Sequence, residues 1–273
     1  MGVGPGRLTR VSVMEELQVS EADGIATVTI NRPHVRNAIP PHGWDTLRSI
    51  FVDLGFRDDI RCVVLTGAGD DFCSGADVGQ TDDVSHDRES HQLQTMRIIT
   101  ACCEALYDMP KVTIARIDGV AAGAGLNMAL ACDLVLASDR SRFSEIFARR
   151  GLSVDFGGSF LLPRIVGMQR AKELVLLAEV IDASAAADMG LVNRVVPVDE
   201  LDDLVADWSA KAAAGPPRAI AVSKSLLNRS FTSSLHEALE AEGLGQTFQF
   251  TTADTREAMQ AFIEKRDPKF TGW

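Results

Sequence analysis

Residues 118–133, DGVAAGAGLNMALACD, constrain the fold more than any other part of this 273-residue chain. They follow an apolar β-rich run, KVTIARI at 111–117, and crowd Gly and Ala together before an apolar helical pattern begins. Gly119, Gly123 and Gly125 permit tight turns and close approach of backbone. Leu126, Met128, Ala129 and Leu130 are good helix formers. A small-residue turn that opens a buried helix presents free backbone N–H groups and the positive end of the helix dipole. Such a place holds an anion, or an oxygen that becomes anionic during a reaction.

Strands and helices alternate around that stretch. Residues 17–33 predict a hairpin in which Val19, Ile25, Val28 and Ile30 flank the turn Glu21-Ala22-Asp23-Gly24, with Pro33 as its end. After Pro40 and Pro41, a helix is expected through Trp44, Leu47, Ile50, Phe51 and Leu54, stopped by Gly55. RCVVLTG at 61–67 suits a buried parallel strand. The polar stretch up to Arg88 suits a mobile pocket mouth. Leu93, Met96, Thr100, Cys103 and Tyr107 predict a long helix closed by Pro110, and DLVLAS at 133–138 is a strand again. This alternation predicts an α/β fold with crossover connections. The pattern from 142 to 158 is irregular. Helices are expected at 167–178 and 184–190, and then at 199–213, 217–229, 234–250 and 254–265. Ser234 with Glu237, and Asp254 with Glu257, fit capping boxes. The composition shift near Pro197 divides the chain into a flexible tail at 1–13, an α/β core at 14–197 and a helical oligomerisation region at 198–273. Met14 offers an alternative start.

Composition excludes several functions. A net charge of −11 argues against nucleic acid as a partner, because phosphate contact needs a basic face. No apolar run reaches the roughly 18 residues that span a bilayer, and the first residues lack a signal-peptide core. A cytoplasmic protein with no membrane partner is the expectation. Cys62, Cys73, Cys102, Cys103 and Cys132 have neither zinc-site nor disulfide spacing and read as small core residues. The glycines of GVAAGAG do not match the dinucleotide fingerprint, so no cofactor is expected.

The chain resembles the crotonase superfamily, the enoyl-CoA hydratase/isomerase family. The resemblance rests on INRPHVRNAI (30–39), VVLTGAGDDFCSGADV (63–78), ARIDGVAAGAGLNMALACDLVLAS (115–138), DFGGSFLLPRIVGMQRAKEL (155–174), AAADMGLVNRVVP (185–197) and AFIEKRDPKFTG (261–272). It implies a spiral of ββα units with a helical C-terminal trimerisation region, in a homotrimer or dimer of trimers acting on acyl-CoA thioesters. It also implies an oxyanion hole made by the N–H groups of Ala76 and Ala124, the second at a position that is commonly Gly. Ser74, Ala76 and Val78 would flank the adenine of CoA. Lys265 and Phe270 would reach CoA from the terminal motif, against the simpler reading of a solvated helix end.

Both glutamates of the family's hydratases are replaced here, by Asn127 and Phe147. Neither can serve as a general base near neutral pH. Glu145 lies two residues before the second position and is expected to point elsewhere. Asp155 stands where some isomerases and dehalogenases of the superfamily place a catalytic aspartate. The segment around it most resembles ring-opening isomerases of phenylacetyl-CoA breakdown and their double-bond-shifting relatives. Phe147, Leu152 and Phe156 would desolvate Asp155 and raise its pKa. The alternative is that Asp155 only caps the helix opening at 156–158. Asn127 either orients substrate or satisfies buried backbone. His86 and His91 read as surface groups, and Asp70-Asp71 and Asp82-Asp83 as loop charge. The expectation is therefore an acyl-CoA isomerase with Asp155 as proton shuttle; the alternatives are an atypical enoyl-CoA hydratase and a non-catalytic acyl-CoA-binding subunit.

Overall fold

A computed structural model of the chain describes residues 9–12, 15–80 and 89–273, with side chains at 15–79 and from 93 onward. The elements are β1 (Thr9–Ser12), β2 (Leu17–Ala22), β3 (Ile25–Ile30), α1 (Gly43–Phe56), β4 (Cys62–Gly67), α2 (Glu89–Tyr107), β5 (Val112–Ile117), β6 (Val120–Ala122), α3 (Ala124–Leu130), β7 (Leu134–Ser138) and β8 (Arg142–Ser144). They continue as α4 (Gly158–Val166), α5 (Met168–Leu177), β9 (Ile181–Asp182), α6 (Ala183–Asp188), β10 (Arg194–Val196), α7 (Leu201–Ala214), α8 (Pro217–Arg229), α9 (Leu235–Gln249) and α10 (Ala253–Glu264).

Seven strands form one sheet in the order β1-β2-β3-β4-β5-β7-β10. The β1–β2 and β2–β3 pairings are antiparallel and the others parallel. The two-residue period of β4 sends Val63 and Leu65 to one face and Cys62 and Val64 to the other. The first pair packs with Trp44 and Phe51 of α1 and Leu106 of α2. The second packs with Leu201 and Val205 of α7. Helix α7 thus continues the packed body of the sheet beyond Pro197. Large exposed apolar side chains gather instead on α8–α10, among them Leu227, Leu244, Phe262 and Ile263. Strands β6, β8 and β9 form a second, small sheet.

Several expectations change. Residues 9–12 are not tail: they pair with β2 in the register Val11↔Val19, because β2 otherwise leaves an open row of backbone donors and acceptors. Gly55 does not stop α1, which runs to Phe56; its cost of about 1 kcal/mol is overridden by the buried Ile50, Phe51 and Leu54. The irregular stretch after Arg142 begins with β8, which pairs in parallel with β6. The Ser234/Glu237 capping box is present. The second box is not: Thr252 caps α10. Asp254 instead accepts from Thr271 N at 2.7 Å and Gly272 N at 2.9 Å, and Glu257 pairs with Arg266, which together tie the C-terminal segment to α10. The stretch 81–88, with His86 and Asp82-Asp83, lies outside the described residues, as does the side chain of His91. Among the described residues no helix is long and apolar enough to cross a membrane. All five cysteines are unbonded and four are buried.

Candidate active site

A cavity of about 510 Å³ opens where residues 72–78 cross residues 120–124, and Ser74, Ala76, Val78, Ala124, Phe147 and Asp155 line it. Short ladders build the crossing. Ile39 N–H donates to Gly75 O and Asp77 N–H donates to Ile39 O, both at 2.8 Å, so the Ala76 N–H between them faces away from Ile39. On the other side Cys73 N–H donates to Val120 O and Ala122 N–H to Cys73 O, both at 2.9 Å. Gly123 N–H is held by Ser144 O at 2.9 Å, which leaves Ala124 as the first residue of α3. Neither Ala76 N–H nor Ala124 N–H has a hydrogen-bond partner among the described residues. Gly75, at φ 100°, makes the approach close enough: a β-carbon there would lie 3.0 Å from Ala122 O and 3.5 Å from Ala124 N.

Arg32 secures the Ala76 side. It is 4% exposed, donates to Ala38 O at 2.6 Å and Asp77 Oδ2 at 2.8 Å, and pairs with Glu16 at 3.0 Å. Removing one member of a buried ion pair strands the others. Arg32→Met is therefore expected to destabilise the fold by about 3 kcal/mol, read as a lower midpoint in urea unfolding. The partners Glu16 and Asp77 keep some solvent contact, which sets the value at the low end of the range for buried pairs.

Asp155 sits on the loop before α4. Its Oδ1 is enclosed and has no hydrogen-bond partner among the described residues, and burial pushes the carboxyl up to about 6. The carboxylate does not cap α4: the cap is Gly157, without any side-chain bond, and Gly158 N–H donates to the main-chain oxygen of Asp155. Of the three side chains expected to desolvate it, Phe147 is buried in the cavity wall. Leu152 lines the cavity but is 57% exposed, and Phe156 turns into the core against Trp44, 5.5 Å between ring centroids. Phe156 is therefore a packing residue rather than part of the cavity wall.

Asn127 also lies off the cavity surface. It is fully buried, and its Nδ2 donates to Asp155 O at 3.0 Å and to Glu145 Oε2 at 3.4 Å. The Asn127 side chain thus satisfies the buried main-chain oxygen of Asp155. Glu145 does not line the cavity either, yet it is joined to Asp155 through Asn127. Its place between Phe143, Ile146 and Phe147, all apolar, was the signal in the sequence. Ser74 lines the cavity and donates to Val35 O at 3.2 Å. Lys265 ends α10 in left-handed backbone, exposed, and Phe270 lines a separate cavity with Asp58, Asp59 and Arg61. Neither meets Asp155 within one copy of the chain. Sequence reasoning missed Arg36, Arg142 and Arg150, which line the main cavity and make its rim basic in an acidic chain.

Residues 20–273 match the family model described as enoyl-CoA hydratase/isomerase. The chain is 39% identical to a probable enoyl-CoA hydratase of Rhodobacter capsulatus, covering 92% of this chain and 96% of that one. It is 33% identical to the 1,2-epoxyphenylacetyl-CoA isomerase of Escherichia coli, covering 95% and 100%. The solved structure of Pseudomonas aeruginosa DspI superposes with a TM-score of 0.89 at 34% identity, covering 95% of this chain and 98% of that one.

Proposed function

Because the chain belongs to the enoyl-CoA hydratase/isomerase family and has its crotonase fold, we propose that it is an acyl-CoA isomerase that moves a double bond through a thioester enolate. The observation that carries this reading is Asp155: a carboxylate whose enclosed oxygen has no partner among the described residues, in the same cavity as two amides that likewise have none. Asp77, the other carboxylate of the wall, is engaged by Arg32 and by Gly79 N–H.

In a 3-enoyl-CoA the thioester carbonyl accepts from Ala76 N–H and Ala124 N–H. Asp155 takes a proton from the carbon beside the carbonyl, and charge moves onto the thioester oxygen, where the two donors stabilise it. The protonated Asp155 then returns the proton to the far end of the dienolate. One proton leaves and one arrives, so no cofactor is needed. Rearrangement of an epoxide would use the same enolate-stabilising hole. Arg36, Arg142 and Arg150 at the rim suit the phosphates of CoA, and Ser74 and Val78 its adenine end.

A base must be ionised to act. Since the Asp155 carboxyl is held at about 6, above its ordinary 3.8, kcat/KM is expected to fall as pH drops below about 6. A pH–rate profile reads this directly. A hydratase reading is favoured by the name of the Rhodobacter relative. A panel of 3-enoyl, 2-enoyl and epoxy thioesters separates the two: double-bond migration or ring opening supports the isomerase, and steady water addition to crotonyl-CoA that survives Asp155→Ala supports the hydratase. Tight binding of CoA esters without turnover of any would instead mark a binding subunit. The exposed apolar side chains of α8–α10 suit a homotrimer or a dimer of trimers, in which Lys265 and Phe270 would reach a neighbour's CoA. Sedimentation equilibrium is expected to give three or six times the chain mass of 29.4 kDa.

A further inference from the structure

Glu145 is completely buried just after β8, and its Oε1 has no hydrogen-bond partner among the described residues. The side chain it touches, Asn127, is equally buried, and Asn127 Oδ1 also has none among the described residues. These two orphan acceptors belong to groups already joined, Asn127 Nδ2 donating to Glu145 Oε2 at 3.4 Å. A single proton on Glu145 would give this joined pair the donor it lacks, available to Asn127 Oδ1 while Glu145 Oε2 goes on accepting from Nδ2. An ionised Glu145 would leave two buried acceptors unpaired and a charge without a cation, which is costly in enclosed space.

The carboxamide has little freedom to leave this arrangement. Gly158, the first residue of α4, lies flat against it, and a β-carbon there would run into the Asn127 amide atoms. From this position Nδ2 donates to the main-chain oxygen of Asp155 at 3.0 Å, while the Asn127 N–H holds Gly123 O at 3.0 Å, directly ahead of the Ala124 donor. One residue therefore links the proposed base to the oxyanion hole.

We propose that Glu145 is a positioning residue: its carboxyl, paired with the Asn127 carboxamide, clamps that amide and so fixes the Asp155 main chain relative to the Ala124 N–H. The inference rests on Asp155 as the proton shuttle. Burial foremost, and then the Asp155 charge, hold the Glu145 carboxyl up at about 7, against the Asn127 hydrogen bond. Asp155 is the charged group that faces Glu145 from the loop before α4. Cys103 of α2 faces Asp155 in turn, and its thiol, pushed up to about 12, is neutral. Arg36, Arg142 and Arg150 lie on the cavity side of Asp155. Turnover thus needs Asp155 ionised and Glu145 neutral, a state in which the two carboxyls carry one charge between them.

The test compares Glu145→Leu, Glu145→Gln and Asp155→Asn as purified full-length chains, using the thioester that the parent isomerises. Glu145→Leu is expected to lose kcat roughly 100-fold with KM little changed, the size of effect a displaced base produces. Glu145→Gln can donate and accept as the neutral acid does, so it is expected to recover most of that loss. The parent is expected to lose turnover as pH rises through about 7, and Glu145→Gln to lack this alkaline limb. A folded Glu145→Leu with the parent's kcat would overturn the clamp, as would a Glu145→Gln that keeps the alkaline limb. If Glu145→Leu does not fold, the pH profile of Glu145→Gln decides alone. Asp155→Asn separates the two claims: full turnover in that variant removes the shuttle itself, whereas its loss beside an unaffected Glu145→Leu removes only the clamp.

Discussion

Asp155→Asn is expected to lower kcat for double-bond migration by roughly 100- to 10,000-fold, the contribution typical of a positioned general base. The replacement keeps the shape of the side chain and removes its ability to take a proton. KM should change little, because on the proposed reading the CoA portion would be held elsewhere, along the cavity-lining residues 74–78 and the arginine rim. Loss of structure would not explain such a result. Among the described residues Asp155 Oδ1 has no hydrogen bond to lose, and α4 does not depend on it for a cap. The direction of the pKa shift adds a control. The native carboxyl titrates at about 6 and the unfolded one near 3.8, so the native state binds the proton more tightly. Between those values stability falls as pH rises, and above about 6 the full penalty for the buried charge is present. Asn carries no such charge. The variant's unfolding midpoint at pH 8 is expected to lie at or above the parent's, in calorimetry, while its turnover is lost.

The second large effect is expected at Ala124. Ala124→Pro deletes one donor of the proposed oxyanion hole and nothing else that α3 requires. Its N–H is unpaired among the described residues, and proline is tolerated at the first position of a helix, where no intrahelical bond is lost. Removing one such donor typically costs about 3–4 kcal/mol of barrier, or roughly a hundredfold to a thousandfold in kcat. Stopped-flow or steady-state kinetics with the isomerised thioester reads the loss, and circular dichroism shows whether α3 has kept its helix. A variant with the parent's kcat would remove Ala124 from the hole.

The sheet and the close backbone crossing at the Gly/Ala turn were legible in the sequence because both rest on local pattern. RCVVLTG announces a buried strand by its continuous apolar run, and β4 is buried along almost its whole length. The Gly/Ala turn at 119–125 marks a place where backbone approaches backbone, and there it meets residues 72–76. Less legible were features that depend on pairing between distant segments. Strands β6 and β8 have three residues each, too few to show a period, and exist because 120–122 meets 142–144. Asp254 and Glu257 looked like a cap, but the C-terminal backbone and Arg266 compete for those carboxylates and win. The same limit applied at the site. Asp155 could be singled out from its motif, whereas the linkage of Glu145 to Asp155 through Asn127 joins three segments whose meeting no spacing encodes. Phe156 looked like cavity wall from its position beside Asp155, yet its left-handed backbone, φ 46°, turns the ring to Trp44 instead.

One isotope measurement tests the single-shuttle account most directly. A 3-enoyl-CoA deuterated at the carbon beside the thioester is turned over in ordinary water, and the product is examined by mass spectrometry after the first turnovers. A single enclosed carboxylate at residue 155 should yield a 2-enoyl-CoA carrying part of that label at its fourth carbon, and both product and label transfer should disappear in Asp155→Asn. A 3-hydroxyacyl-CoA with oxygen drawn from water, or isomer formed at an undiminished rate by Asp155→Asn, would contradict it.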